Sequence, residues 1–266
     1  DQLTAGVALS GEDLLAAWRR NFDSPQGFWT EQAAHMFRRQ PDGTWRLLST
    51  LATTSSPWAG SGTIRVAMKG NVAAVYADRL RIFERTASGW QQTADLGAFT
   101  ILKLEMDAGT VAALGEGCSW RAFRKQSAGW QQVASVGTTE QCGPSGFGQD
   151  IDISVSTVVT ANPYFGLPPD NPWSSRARIY PGLSSTPTFV TDPFLEAGQP
   201  FVSFADSVAV EQGTVYAARA GQVLAFEGGL HLGEDGGIAG DLVGIAGELD
   251  IVGAGVEGEG HEGVLV

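Results

Sequence analysis

Apolar and polar positions alternate along this chain in short bursts, each closed by a turn that carries glycine. The clearest burst runs from Thr63 to Leu96. Ile64, Val66 and Met68 alternate with Thr63, Arg65, Ala67 and Lys69 up to Gly70-Asn71, and the apolar Val72–Ala77 follows. Leu80 and Ile82 flank Arg81 ahead of Phe83, and Ala87-Ser88-Gly89 leads into Trp90–Leu96. Period-two alternation over such lengths predicts half-buried strands, and a Gly-Asn pair between them predicts a tight hairpin. The connections are too short to hold helices, so neighbouring strands must be antiparallel.

The burst recurs. VALSGEDLLAAW (7–18), VAMKGNVAAVYA (66–77), LEMDAGTVAALG (104–115), DISVSTVVTANP (152–163), VAVEQGTVYAAR (208–219) and VGIAGELDIVGAG (243–255) are variations on one phrase. A period of roughly 40–50 residues built of short strands is the mark of a propeller or similar repeat array. The fold class expected is all-β, a β-propeller of about six (or seven) four-stranded antiparallel blades forming a single domain over residues 1–266. The blades are expected at about 5–52, 62–98, 99–138, 147–192, 201–236 and 238–266, the last ending at Gly263–Val266 without its outer strand. An unpaired edge there would invite completion by further chain, a partner chain or a second copy. Trp45, Trp90 and Trp130 follow Phe37, Phe83 and Phe123 at a nearly constant spacing, so they are expected to pack between blades. The fourth and fifth repeats replace this pair with Ile179-Tyr180 before Pro187–Val190, and with Val223–Phe226 before Leu230-His231-Leu232.

A chain that is 43% hydrophobic and 17% charged can bury a packed core. No apolar run approaches the ~20 residues of a membrane-spanning helix. Neither an initiator Met nor a signal peptide opens the sequence, as expected of a processed mature protein or a trimmed one. Cys118 and Cys142 are compatible with a disulfide and an oxidising, extracellular or periplasmic setting, or else with two free thiols. Charge is segregated: residues 1–191 hold 16 acids and 16 bases, whereas residues 192–266 hold 13 acids and the single base Arg219. That acidic stretch repels nucleic-acid phosphates and would attract cations or basic partners, or serve solubility alone.

Phe147-Gly148 followed by Asp150–Ser154, Thr157–Ala161 and Arg178–Tyr180 resembles the FG-GAP repeat of integrin-α-type β-propellers. Ile251–Gly255 resembles the middle of that phrase, and Gly213–Ala217 its turn. Ile82–Arg85 with Gly89–Gln92 resembles the secreted bacterial variety, and the likeness extends over about residues 5–266. It implies a secreted or cell-surface module for adhesion or lectin-like recognition. The family's calcium loop is missing from the inner turns, among them Ser10-Gly11-Glu12, Lys69-Gly70-Asn71 and Gln212-Gly213. These are too short and too poor in acids to assemble six or more oxygen ligands, so no calcium is expected there. No other cofactor is implied.

Long connections gather where strands two and three meet and where blades join: Arg19–Glu31, Asn162–Ser175, Ala52–Gly62, Gly137–Gly146 and Pro193–Pro200. Long loops on a rigid scaffold commonly carry binding. Trp29, Trp58, Tyr164, Phe165 and Trp173 fall in them and are the candidate anchors for a glycan or protein ligand, with Phe28 beside Trp29. Capping the end of the propeller is the competing role. Glu257, Glu259 and His261, with Glu262, could hold a divalent cation, or form a solvated acidic hairpin. His35, His231 and His261 are the only histidines, and no motif for a nucleophile elbow, P-loop, zincin or dinucleotide site is present. The rival readings are a hydrolase or lyase that gathers carboxylates on the loop face or in the central channel, and a structural subunit completed by a partner. The packing assignment predicts that Trp90→Ala costs about 3–5 kcal/mol in denaturant-unfolding free energy.

Overall fold

A computed structural model describes residues 6–24, 27–57, 64–115, 119–137, 150–162, 176–185, 188–191, 204–219, 222–227 and 243–245. Among the described residues, twenty strands form five four-stranded antiparallel sheets. The first contains β1 (Val7–Ser10), β2 (Asp13–Ser24), β3 (Gly27–Arg39) and β4 (Trp45–Pro57). The second contains β5 (Arg65–Lys69), β6 (Val72–Tyr76), β7 (Leu80–Thr86) and β8 (Gly89–Asp95). The third contains β9 (Lys103–Asp107), β10 (Thr110–Leu114), β11 (Trp120–Gln126) and β12 (Gly129–Val136). The fourth contains β13 (Ile151–Ser154), β14 (Thr157–Asn162), β15 (Arg176–Tyr180) and β16 (Thr188–Thr191). The fifth contains β17 (Phe204–Glu211), β18 (Thr214–Arg219), β19 (Gln222–Glu227) and β20 (Val243–Ile245). Within each sheet the strands pair in chain order, and the first strands of successive sheets are neighbours. That arrangement is a β-propeller.

One rung repeats through all five blades. The second residue of each second strand lies opposite an aromatic of the third: Leu14 and Phe37, Ala73 and Phe83, Val111 and Phe123, Val158 and Tyr180, Val215 and Phe226. From the second blade onward the aromatic is buried in a core shared with the preceding sheet, to which alanines of that sheet contribute. Phe83 shares a core with Ala17, Ala34 and Ala52 of the first blade, and Phe123 with Ala67 and Ala74 of the second. Tyr180 shares a core with Ala112 and Ala122 of the third and stands edge-on to its Trp120, ring centroids 4.9 Å apart, and Phe226 shares one with Ala161 and Ala177 of the fourth. Each sheet is therefore apolar on both faces, and sequence alternation gives way to all-buried strands such as β10.

Polar links tie the blades near the axis. Ser10 Oγ accepts the Gly70 N–H at 2.7 Å, in a turn where Gly70 sits at φ +61°. Asp107 bonds Lys69 at 3.1 Å on one side and accepts the Val155 N–H at 2.8 Å on the other. Val155 holds φ +55°, a strained conformation for a β-branched residue, and the bond from the neighbouring blade holds it there. Asp150 and Asp152 accept the Val208 and Val210 N–H groups of β17 at 2.9 and 2.7 Å. These carboxylates satisfy the open edge of an innermost strand, which would otherwise offer unpaired donors.

Three expectations change. Val243–Ile245, read as the opening of a sixth blade, pairs with β19 and closes the fifth. An apolar triplet carries no mark of the sheet to which it belongs. The segment Arg19–Glu31, read as a loop, is mostly strand: β2 and β3 pair continuously from Asp13 and Arg38 to Ser24 and Gly27. Trp90 and Trp130 do pack against inter-blade cores but stay partly exposed, which puts Trp90→Ala below the cost expected from sequence. Cys118, Cys142 and residues 246–266 lie outside the described residues. The full aromatic cost belongs to the rung. Phe123→Ala should lower unfolding free energy by about 3–5 kcal/mol in urea, whereas Phe37→Ala, partly buried, should cost less than about 2 kcal/mol.

Candidate functional site

The first blade departs from the others in length. Its second, third and fourth strands have 12, 13 and 13 residues, against four to eight in every strand of the other sheets except the three-residue β20. The excess forms a three-stranded arm at the end where second and third strands join. Aromatic and polar residues alternate along it, so one face carries Trp18, Arg20 and Phe22 on β2 beside Trp29, Glu31, Ala33 and His35 on β3. Thr50, Thr53 and Ser55 of β4 share that face, paired with His35, Ala33 and Glu31. The opposite face is tied by Asn21 Oδ1, which accepts from Thr30 Oγ1 at 3.0 Å and Arg19 Nε at 3.2 Å.

At the root of the arm the Trp18 indole stacks on His35, with ring centroids 6.2 Å apart and an interplanar angle of 16°. Trp18 Nε1–H donates to His35 Nε2 at 2.7 Å. An indole nitrogen is only a donor, so Nε2 must hold a lone pair and the imidazole proton sits on Nδ1. Nδ1–H then donates to Thr50 Oγ1 at 3.0 Å. Burial lowers the His35 pKa below its ordinary 6.5. His35 is a neutral positioning residue, its basic lone pair already in use.

Beyond this trio opens a groove of about 400 Å³ walled by Trp18, Glu31, Ala33, Thr53 and Ser55. An indole, a carboxylate and two hydroxyls line one wall, and the Arg20 guanidinium lies 5.1 Å over the Phe22 ring further along. Trp29, the one sequence-chosen anchor among the described residues, lies on this same face between Phe22 and Pro57. Its indole N–H is buried without a hydrogen-bond partner among the described residues. Trp58, Tyr164, Phe165 and Trp173 lie outside the described residues, as do Glu257, Glu259 and His261. No cluster of metal-ligating side chains occurs among the described residues. Sequence reasoning missed Trp18, Glu31, Thr53 and Ser55 because it broke β2 and β3 too early. The unbroken Trp18-x-Arg20-x-Phe22 alternation was the available signal.

The central strands hold the other unusual carboxyls. Burial pushes Glu105 and Asp152 up from the ordinary carboxylate range. Glu105 is bonded by Lys103 Nζ at 3.2 Å, and Lys103 also pairs with Asp150. Asp152 accepts the N–H groups of Val210 and Ile153. Glu105 is bridged within its own strand, and Asp152 binds β17 of the next blade.

The fold has known likenesses. Saccharomyces cerevisiae Sqt1 is similar at 12% identity and a TM-score of 0.51, over 83% of this chain and 57% of that one. BamB from Moraxella catarrhalis is similar at 12% identity and a TM-score of 0.47, over 85% and 58%. The N-terminal domain of Nup159 is similar at 9% identity and a TM-score of 0.45, over 83% and 59%. The chain spans less than two thirds of the length of each. At such identities the likeness is one of fold alone. No family model matches the chain, and no curated protein matches it by sequence. Among the described residues no helix is long and apolar enough to cross a membrane.

The trio makes the arm sensitive to pH. A folded His35 that resists protonation contributes its stability fully above pH 6.5, and loses it as pH falls through the lowered folded value. Thermal midpoints measured between pH 8 and pH 5 should fall more steeply for the native chain than for His35→Gln, and indole fluorescence should drop over the same range.

Proposed function

We propose that this propeller is an extracellular recognition module that binds a glycan or protein ligand along the arm of its first blade. The observation that carries the reading is the groove itself, in which the Trp18 indole stands beside Glu31, Thr53 and Ser55 on a rigid three-stranded platform. An apolar ring face suits the apolar face of a sugar or a side chain, while the carboxylate and hydroxyls take up its polar groups. Trp29, whose indole N–H has no partner among the described residues, continues the same surface. The FG-GAP resemblance agrees with this role and with a secreted or cell-surface setting.

The hydrolase or lyase reading has less behind it. The two carboxyls with raised pKa are already engaged, Glu105 by Lys103 of its own strand and Asp152 by the Val210 N–H of the next blade. They lie away from the arm, on the innermost strands of the third and fourth blades.

The test is a glycan array and a panel of extracellular-matrix proteins probed with the full chain, followed by Glu31→Gln and Trp29→Ala on whatever binds. A hydrogen bond to a charged group contributes roughly 1.5–3 kcal/mol, so Glu31→Gln should weaken binding by about tenfold or more. The melting temperature should stay within about 2 °C, as for a surface substitution. Unchanged affinity in both variants would move the ligand off the arm. Product formation from a bound glycan would favour the enzyme.

A further inference from the structure

The first sheet has an outer face that the other blades explain. Its Arg39–Trp45 pair occupies the rung of Arg85–Trp90 in the second blade and Lys125–Trp130 in the third. In those two blades the tryptophan packs on the core shared with the preceding sheet. The base beside it reaches an acid of that preceding sheet: Arg85 bonds Asp13 at 3.1 Å, and Lys125 bonds Glu84 at 2.5 Å. The Trp130 indole N–H adds a bond to Glu84 at 2.9 Å. Two blades thus present one surface, a Trp and a base above apolar residues, toward one kind of neighbour: an apolar sheet that offers a carboxylate.

The first blade presents the same surface with no such neighbour among the described residues. Val7 is 67% exposed, Leu9 60%, Leu47 51% and Trp45 42%. Arg39 is exposed and makes no ion pair among the described residues. The equivalents of Leu9 in the next two blades, Met68 and Met106, are buried. A face of this make is costly to leave in water, and its composition states what would cover it.

We propose that residues 246–266 of this same chain dock on the outer face of the first sheet and close the propeller. The segment follows the last described strand of the fifth blade, and in a ring the sheet after the last precedes the first. Its 21 residues suffice for an inner hairpin of two strands of about five or six residues each. Leu249, Ile251 and Val252 supply apolar side chains for one, Val264-Leu265-Val266 for the other. The segment carries Glu248, Asp250, Glu257, Glu259 and Glu262 with no Lys or Arg, the charge that Arg39 lacks. Closure by the acidic tail also gives the charge segregation of the chain a purpose beyond solubility.

Two measurements on the full chain test this. Arg39→Lys preserves the charge and lets a zero-length carbodiimide couple the introduced lysine to a carboxylate in contact with it. A crosslink to one of the five acids of 246–266, at monomer mass, is expected; its absence, or a crosslink between chains, overturns the proposal. The double variant Trp45→Glu, Leu47→Glu alters only exposed positions, so the other blades should stay folded. Amide exchange in 246–266 should quicken at least tenfold in it, with β10 and β14 unchanged as an internal control. Free-chain exchange of 246–266 in the native protein, or no change in the variant, would sink the idea. A dimer by light scattering that this variant dissolves would assign the face to a second copy instead.

Discussion

The packing of one aromatic side chain per blade against the apolar face of the preceding sheet is the contact on which the rest of this propeller depends. A four-stranded sheet of this size cannot bury enough surface alone. Phe83, Phe123, Tyr180 and Phe226 each join a core shared with the preceding sheet, so these blades are stable only in company. The pairing of β7 with β8, and of β11 with β12, slips by one residue just before Phe83 and Phe123. A bulge at that point increases local twist and re-aims the strand that carries the aromatic.

Stacking by apolar contact leaves blade order and angle loosely specified, and the polar links supply direction. Ser10, Asp107, Asp150 and Asp152 each reach one blade forward to a backbone N–H, so the innermost strands are joined without a continuous sheet. Buried Asp13 does the same work further out, holding Arg38 of its own sheet bidentately at 2.7 and 3.0 Å and Arg85 of the next at 3.1 Å. Removing one partner from such a set strands the others, so the links act as a registry device. Burial at the axis raises the Glu105 and Asp152 carboxyls, against the lowering effect of Lys103 and of the N–H groups that Asp152 accepts.

The arm shows how a repeat acquires a site without disturbing its core. Lengthening β2, β3 and β4 leaves the rung of Leu14 and Phe37 in place and adds strand beyond it. Because side chains alternate across the added length, one face receives Trp18, Phe22 and Trp29 while the other is closed by Asn21, Thr30 and Arg19. The Trp18–His35–Thr50 trio fixes the root of the arm, so a ligand would meet a surface with little left to order.

Strand type, the repeat and the tryptophan spacing were legible in the chain because alternation and turn residues are local properties, set by the two-residue period of a strand and the conformational freedom of glycine. β6 and β8 lie within a residue of the expected Val72–Ala77 and Trp90–Leu96 for that reason. What locality does not encode is membership. Val243–Ile245 reads equally well as a first or a fourth strand, and only its pairing with β19 assigns it to the fifth sheet. Arg19–Glu31 holds polar residues that suit a loop, and only its partners across β3 and β4 make it an arm with a grooved face. Local chemistry chose the strands; hydrogen-bond partners distant in sequence decided which sheet each joined and which side chains came to share a face.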